Sequence, residues 1–497
     1  MAEIIPRWEW RTFGRGVAIA EPHVAALTST GVQESDETYL LAGTRNTAKV
    51  RAGLIDIKVL VEVDPDGLEQ WRPAMKAEFP LSAAEVATAF ATLGLPAPTL
   101  ARETYTLDEL VADLAGPGSA LRPVAVHKRR VRYVIGGCTA EVSDVTADGR
   151  PTRTVAIEST DAAAVVAAVR SVGLGDFRNT SYGEGLAALL AGVPPRYAVI
   201  DVGTNSVKFH VGELAPDGTW RRVRDRAELT RLGEGLVAGG GISAAAAERT
   251  AAAIEGMAGE ARADRVLAIA AVGTAGLRIA TNRDAVLETI RRRSGVRVDV
   301  ISGDEESRLA FLAARAGVGL AAGSVAVFDT GGGSTQLTFG HDDIVDERFS
   351  VDVGAVRFTE RFGLGGPVEP PVLAAALEAI AAELARLDGR PSVDALVGMG
   401  GAVTNITAVR HGMATYDPDV VQGTVLTRAE IDRQIDLYRR LSAEDRRAIP
   451  GLQPKRADVI LAGACIVRTV MGKLGCEALT VSDRGLRHGL LAERFGD

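Results

Sequence analysis

At 497 residues the chain is longer than a single hydrophobic core usually fills, so several domains are expected. Its 46% hydrophobic and 24% charged content is that of a folded globular protein, and a net charge of −8 gives no general attraction to nucleic acid or anionic membrane. No run approaches the ~18 apolar residues of a membrane span, the N-terminus lacks a signal peptide's apolar stretch, and Cys138, Cys465 and Cys476 show no metal-ligand spacing, so a cytoplasmic protein is expected.

In chain order, Ala48 to Val63 and Arg129 to Val145 carry β-branched residues in alternation with charges and read as strands, with a helical insert around Ser82 to Leu93 between them. Charges at spacing two fall on one strand face. Lys49 and Arg51 form one such set, followed by Lys58, and Lys128, Arg130 and Arg132 form another, with Glu141 and Glu158 as the opposing acids. A solvated sheet face accounts for simple alternation, but this concentration of cations in an acidic chain also suits a polyanion. A Leu/Ala helical run then stops at Gly192-Val193-Pro194-Pro195. We therefore expect domains over 1–193, 196–320 and 321–497.

Past the prolines, strands and helices alternate, as in α/β layers. Val266 to Val272 and Val296 to Ile301 read as strands, and Ala285 to Arg293 and Glu305 to Ala314 as helices. Ala457 to Leu474 reads as a late helix, and Ala478 to Ser482 as a last short strand. Within this region one pattern occurs twice. Val199-Ile200-Asp201-Val202-Gly203-Thr204-Asn205-Ser206 is answered by Val327-Phe328-Asp329-Thr330-Gly331-Gly332-Gly333-Ser334, and each is followed by a second alternating run. The offset is 128 throughout, so the pair reads as a duplicated β-hairpin. A glycine-rich turn brings backbone N–H groups up to an anion, and the terminal Asp can hold a cation beside it. Two such turns facing each other make a phosphate clamp.

Other polar groups stand where strands meet helices. Val272 to Arg278 offers small residues and one arginine, a bidentate partner for phosphate. Ile301 to Arg308 opens a helix with Asp304, Glu305 and Glu306, of which the first two read as complements to the helix dipole. Gly398 to Thr404 is a third glycine-rich turn. Of the six histidines, His210 alone falls near the expected cleft, and its apolar neighbours suggest a hydrogen-bonded structural role.

Taken in order, these segments resemble the exopolyphosphatase/guanosine pentaphosphate phosphohydrolase family of the actin–hexokinase superfamily. Arg231 to Leu236, Val353 to Arg357 and Ser482 to Gly489 complete the set of motifs. The resemblance implies two actin-like, ribonuclease H-like subdomains around a cleft in which the terminal phosphoanhydride is hydrolysed. Glu306 matches the family's catalytic base, which orients and deprotonates the attacking water. Asp329 matches its magnesium-associated acid, and Asp201 faces it as a second metal ligand. Arg278 is expected to act in catalysis, with Thr204, Asn205, Ser206, Gly331, Gly332, Gly333, Ser334 and Gln336 around the phosphate. The family has Glu where this chain has Gln336, a change that either is tolerated or weakens metal binding.

The first third resembles the CYTH, or triphosphate tunnel, superfamily over residues 3–190. Trp8 to Phe13, Lys49-Val50-Arg51, Asp56-Ile57-Lys58, Lys128 to Tyr133, Glu141 to Asp144, Ala156 to Glu158 and Ser181-Tyr182 carry that likeness. It implies a closed antiparallel barrel whose bore is lined by Arg11, Lys49, Arg51, Lys58, Lys128, Arg130, Arg132 and Glu158. Arg7 and Ala156 stand where that superfamily has metal-binding acids, which points to capture of polyphosphate rather than its hydrolysis in the barrel. The expected function is a Mg²⁺-dependent exopolyphosphatase acting on inorganic polyphosphate. Guanosine pentaphosphate is the alternative substrate, and a weakly catalytic or non-catalytic polyphosphate or nucleotide sensor is the alternative of another class. No nucleic-acid or membrane partner is expected, and a homodimer is compatible with the sequence.

Overall fold

The computed structural model describes residues 5–115, 119–204, 206–234, 236, 240–319, 323–342 and 344–496. Its first part is an eight-stranded closed barrel of antiparallel pairs. The barrel strands are β1 (Arg7–Phe13), β2 (Gly31–Leu41), β3 (Thr47–Arg51), β4 (Leu54–Val63), β5 (Glu69–Glu78), β8 (Arg122–Ile135), β9 (Cys138–Ala147) and β10 (Arg150–Ser159), in the order β1-β10-β9-β8-β2-β3-β4-β5. Between them β6 (Leu81–Ser82) and β7 (Thr104–Tyr105) form a two-stranded ribbon.

The period-two pattern decides what each barrel face does. On β3, Ala48 and Val50 are buried outward in an apolar cluster with Val86, Phe90 and Leu93 of the helix Ala83–Leu93, which leaves Lys49 to the interior. Ser82 and Glu85 start that helix with a reciprocal capping box. On β8, Val124 and Val126 join Phe13, Leu186 and Leu190 in a packed cluster, and then Lys128, Arg130 and Arg132 line an open cavity. One half of the interior is therefore apolar and closed off by the helix Tyr182–Ala191, and the other half is cationic.

The remainder forms two lobes of actin-like, ribonuclease H-like topology. In the first, β11 (Arg196–Val202), β12 (Ser206–Leu214), β13 (Trp220–Leu229), β14 (Ala268–Gly273) and β15 (Val298–Val300) are ordered β13-β12-β11-β14-β15. The second repeats this with β16 (Ser324–Thr330), β17 (Thr335–His341), β18 (Ile344–Val351), β19 (Ala395–Met399), β20 (Val425–Thr427) and β21 (Ala478–Val481), ordered β18-β17-β16-β19-β21-β20. In each lobe the first three strands are antiparallel and the fourth runs parallel to the first. No helix among the described residues is long and apolar enough to cross a membrane.

Barrel and first lobe share one core. Trp10, Val17 and Ile157 of the barrel part pack in a single cluster with Tyr197, Val199 and Val272 of the lobe and Leu490, Leu491 and Phe495 of the C-terminal helix. Phe177 sits at the seam, edge-on to Tyr197 and Phe495 at centroid distances of 6.3 and 5.7 Å. Its neighbours extend the lobe's sheet by backbone bonds, Arg178 N–H to Leu267 O at 2.9 Å and Ile269 N–H to Asp176 O at 2.9 Å.

Candidate functional site

The two hairpins of the repeat superpose in their hydrogen bonding. In each, the turn is closed by a bond from the glycine after the strand to the serine three residues on: Gly203 N–H to Ser206 O at 3.0 Å, and Gly331 N–H to Ser334 O at 2.9 Å. Across the strands Asp201 lies opposite Lys208, and Asp329 opposite Gln336. The motifs distant in sequence fold back onto these turns. Gly233 N–H donates to Thr204 O at 2.8 Å, and Gly276 packs against the Thr204 side chain. Asn205 lies outside the described residues.

On the second turn, Ala355 N–H and Val356 N–H, opening the helix Ala355–Phe362, bond to Gly331 O and Gly332 O at 3.0 and 2.9 Å. The carbonyls of the loop are thus tied down from behind. Gly354 makes this contact possible, because a Cβ there would overlap Gly332 O. Gln336 Nε2 donates to Ser334 Oγ at 2.8 Å and lies 3.4 Å from Ser350 Oγ, so it supports a hydroxyl of the loop.

Asp201 is buried; its Oδ2 accepts from Lys208 Nζ at 3.0 Å, and its Oδ1 has no hydrogen-bond partner among the described residues. Asp329 lies under Gly400, whose φ of +87° and lack of a Cβ allow the carboxylate to approach. Burial pushes the Asp329 carboxyl up, opposed by Lys208 and Arg456. Lys208 therefore acts on both aspartates. Arg456, which the sequence reading passed over, packs against Gly401 and lines a small cleft with Thr330 and Gly331. Its only sequence signal is the Pro454-Lys455-Arg456 run ahead of the helix Ile460–Lys473.

The three acids of the helix Gly303–Val318 take three different partners. Ser302 caps the helix by accepting from Glu305 N–H, Glu305 pairs with Arg308, and Asp304 pairs with Arg348 of β18 in the second lobe. Glu306 alone meets Arg278, Nη1 to Oε2 at 2.8 Å, and the same Nη1 also donates to Ile301 O at 3.0 Å. Arg278 is thus joined to the candidate base, and its other N–H groups have no partner among the described residues. His210 bonds Asp225 through Nδ1 at 3.3 Å, as the hydrogen-bonded reading expected, and with His488 the three side chains bring their ligand atoms within 4.8 Å of one another. It is not the only histidine there, however: the His488 ring lies 4.7 Å away, its Nδ1 accepting from Gly485 N–H, while Arg487 holds Asp225 at 3.0 Å. The C-terminal helix brings His488 in, a placement that sequence spacing cannot give.

The barrel cavity, about 400 Å³, is lined by Arg11, Lys49, Lys58, Lys128, Arg130 and Arg132, joined by Arg7, against Glu9, Asp56, Glu141 and Glu158. Arg51 is exposed at the end of β3 and reaches Glu37 at 3.6 Å rather than lining the cavity. Glu37, also passed over in the sequence, is buried beneath the cations and pairs with Lys128 at 3.1 Å and with Arg130. Burial raises its carboxyl pKa, but Lys128, Lys49 and Arg130 outweigh that and hold it below its usual range. Lys128 lies over the Tyr182 ring at 3.7 Å and donates to Tyr39 OH at 2.6 Å. Burial, the largest effect, pulls it down to about 7 against the attraction of Glu37.

The sequence profile of the Ppx/GppA phosphatase family matches residues 216–496, more than half of the chain. The chain belongs to the Ppx/GppA phosphatase family. Exopolyphosphatase 2 of Mycobacterium tuberculosis is 28% identical over 327 residues, a match covering 61% of this chain and 99% of the relative. The bifunctional 3-dehydroquinate synthase/phosphatase of Fusobacterium nucleatum is 26% identical over 313 residues, 60% of this chain but only 46% of that protein. Among solved structures, the type II variant of the Aquifex aeolicus Ppx/GppA phosphatase is similar with 32% identity and a TM-score of 0.57, covering 60% of this chain and 99% of that one. These Ppx/GppA relatives match about the part of the chain that the two lobes occupy, and the eight-stranded barrel ahead of it is consistent with a CYTH-like domain.

Proposed function

We propose that this Ppx/GppA member is an exopolyphosphatase that releases terminal orthophosphate from inorganic polyphosphate, with the cationic barrel capturing the polymer. The observation that carries the reading is the Arg278–Glu306 pair at 2.8 Å, which orients the Glu306 carboxyl group for accepting a proton from water. The backbone of Gly331 to Ser334, fixed by the helix behind it, would cradle the terminal phosphate, with Thr204, Ser206 and the free N–H groups of Arg278 on the opposite side.

A magnesium ion fits the residues present. Asp201 keeps one buried carboxylate oxygen without a partner, and Gly400 leaves Asp329 a cradle that any Cβ would fill. Asp201 and Asp329 would hold the ion, which when bound neutralises phosphoryl oxygens as charge moves to the leaving group. Glu306 then takes the proton of the attacking water, and Arg278 keeps the carboxylate oriented. Tethering the barrel to the lobes raises the local concentration of polymer without a further catalytic group.

The test is phosphate release from long-chain polyphosphate and from guanosine pentaphosphate, each with Mg²⁺. The protein should act on polyphosphate, and Glu306→Gln should lower kcat by about 10²- to 10⁴-fold. Release from neither substrate would leave only the sensor reading, and preference for the nucleotide would reassign the substrate.

A further inference from the structure

The barrel's carboxylates do not fit the divalent metal that its resemblance implies. Arg11 joins Glu9 through Nε at 3.0 Å and Glu141 through Nη2 at 3.0 Å, while its Nη1 reaches Thr154 Oγ1 at 3.3 Å. Arg7 covers Glu158 at 3.0 Å. Ala156 gives nothing to a metal. A cation entering here would have to displace Arg11, whose side chain is only 8% exposed. A guanidinium cannot escape by losing its proton, and a displaced one would be left as an unpaired buried charge. Burial disfavours its charge, yet Glu9 and Glu141 hold its pKa above the usual arginine range, and both carboxyls are in turn held low. Glu9, Glu141 and Glu158 are thus neutralised by charges built into the chain, and Asp56 is the one lining acid with no ion pair among the described residues.

What remains for a ligand is mainly cationic, with Asp56 opposite Lys49 across the β3–β4 pair. Among the described residues Lys49 and Lys58 line the cavity with no carboxylate within 4.0 Å, and Arg132 bonds only to the neutral Gln33. We propose that the bore binds polyphosphate as the metal-free anion: Arg7 stands where a metal-binding acid would be needed and Arg11 occupies Glu9 and Glu141, Lys49 and Lys58 take the phosphate oxygens, and Mg²⁺ competes by covering those oxygens. The two halves of the protein then take different forms of one substrate, the bare chain in the barrel and the Mg²⁺-bound end in the cleft. This inference rests on the capture role proposed above.

The experiment is calorimetric titration of the full chain carrying Glu306→Gln, which blocks turnover, with polyphosphate of defined length in EDTA and in excess MgCl₂. The bore's contribution is the part of the binding lost on Lys49→Ala with Lys58→Ala. That loss should be about tenfold or more in EDTA, as expected for two charge-assisted contacts, and smaller in Mg²⁺. Arg7→Glu should weaken binding in EDTA and regain it with Mg²⁺, because a carboxylate pair with Glu158 would then call for a cation. If the lysine-dependent binding appears only with Mg²⁺, capture stands and the metal-free assignment falls. If the lysine variant binds like its parent in both buffers, capture fails and this inference with it. An Arg7→Glu protein indifferent to both buffers would overturn the role given to Arg7.

Discussion

Lys128 sits among Glu37, Tyr39, Tyr182, Arg11, Lys49 and Arg130, and burial in that company brings its pKa down to about 7. Only the ammonium form attracts phosphate, so capture should be strongest below that value and weaken as pH rises through it. The folded pKa lies below that of the unfolded chain, so above pH 7 the unfolded state binds more protons and this group makes folding more favourable as pH climbs. Affinity and stability therefore move in opposite directions. Titrating polyphosphate binding in EDTA between about pH 6 and 9 should show the fall for the parent and a flatter profile for Lys128→Met. In the cleft, the Arg278–Glu306 pair predicts non-additivity. Arg278→Ala should lower kcat, and adding it to Glu306→Gln should cost less than it does in the parent, because the arginine's orienting role disappears with the base and only its phosphate contact remains. Independent losses in the double variant would show that Arg278 acts chiefly on the phosphate.

At the scale of elements, the site is a set of turns held against one another by glycines that no other residue replaces. Gly400→Ala would force a methyl group into Asp329 at a φ of +87°, and Gly354→Ala would do the same to the loop Gly331 to Gly333. Each should cost about 1–3 kcal/mol in denaturant unfolding and should suppress phosphate release with native far-UV circular dichroism. The paired hairpins were legible because their pattern is local: an apolar run, Asp and a small-residue turn are contiguous at a fixed offset. The barrel's basic face was legible for the same reason, a period of two on single strands. What no local pattern carries is which distant groups meet. Arg456 under Gly401, Glu37 beneath Lys128 and His488 against His210 are each brought in by a different element, and sequence spacing is silent about them. Arg51 has the same period, but at the last position of β3 it is exposed and reaches Glu37 instead of joining the cavity lining.

At the scale of the molecule, the barrel is not an appendage. Phe177 binds three parts of the chain into one core, and the backbone beside it adds to the sheet of the first lobe. Phe177→Ala should cost about 3–5 kcal/mol, and barrel and first lobe should lose structure in a single calorimetric transition instead of two. A separate early transition for the barrel would contradict the shared core. That core also turns the protein into a ruler. A barrel on a flexible linker would serve polymers of any length with a smoothly varying local concentration, whereas a barrel welded to the lobe holds bore and cleft at one separation. Under the capture role proposed for the bore, polyphosphates too short to reach from one to the other should be handled by the cleft alone. Plotted against chain length, KM should therefore drop at a threshold, and Lys49→Ala with Lys58→Ala should erase the drop while leaving the short chains as they were.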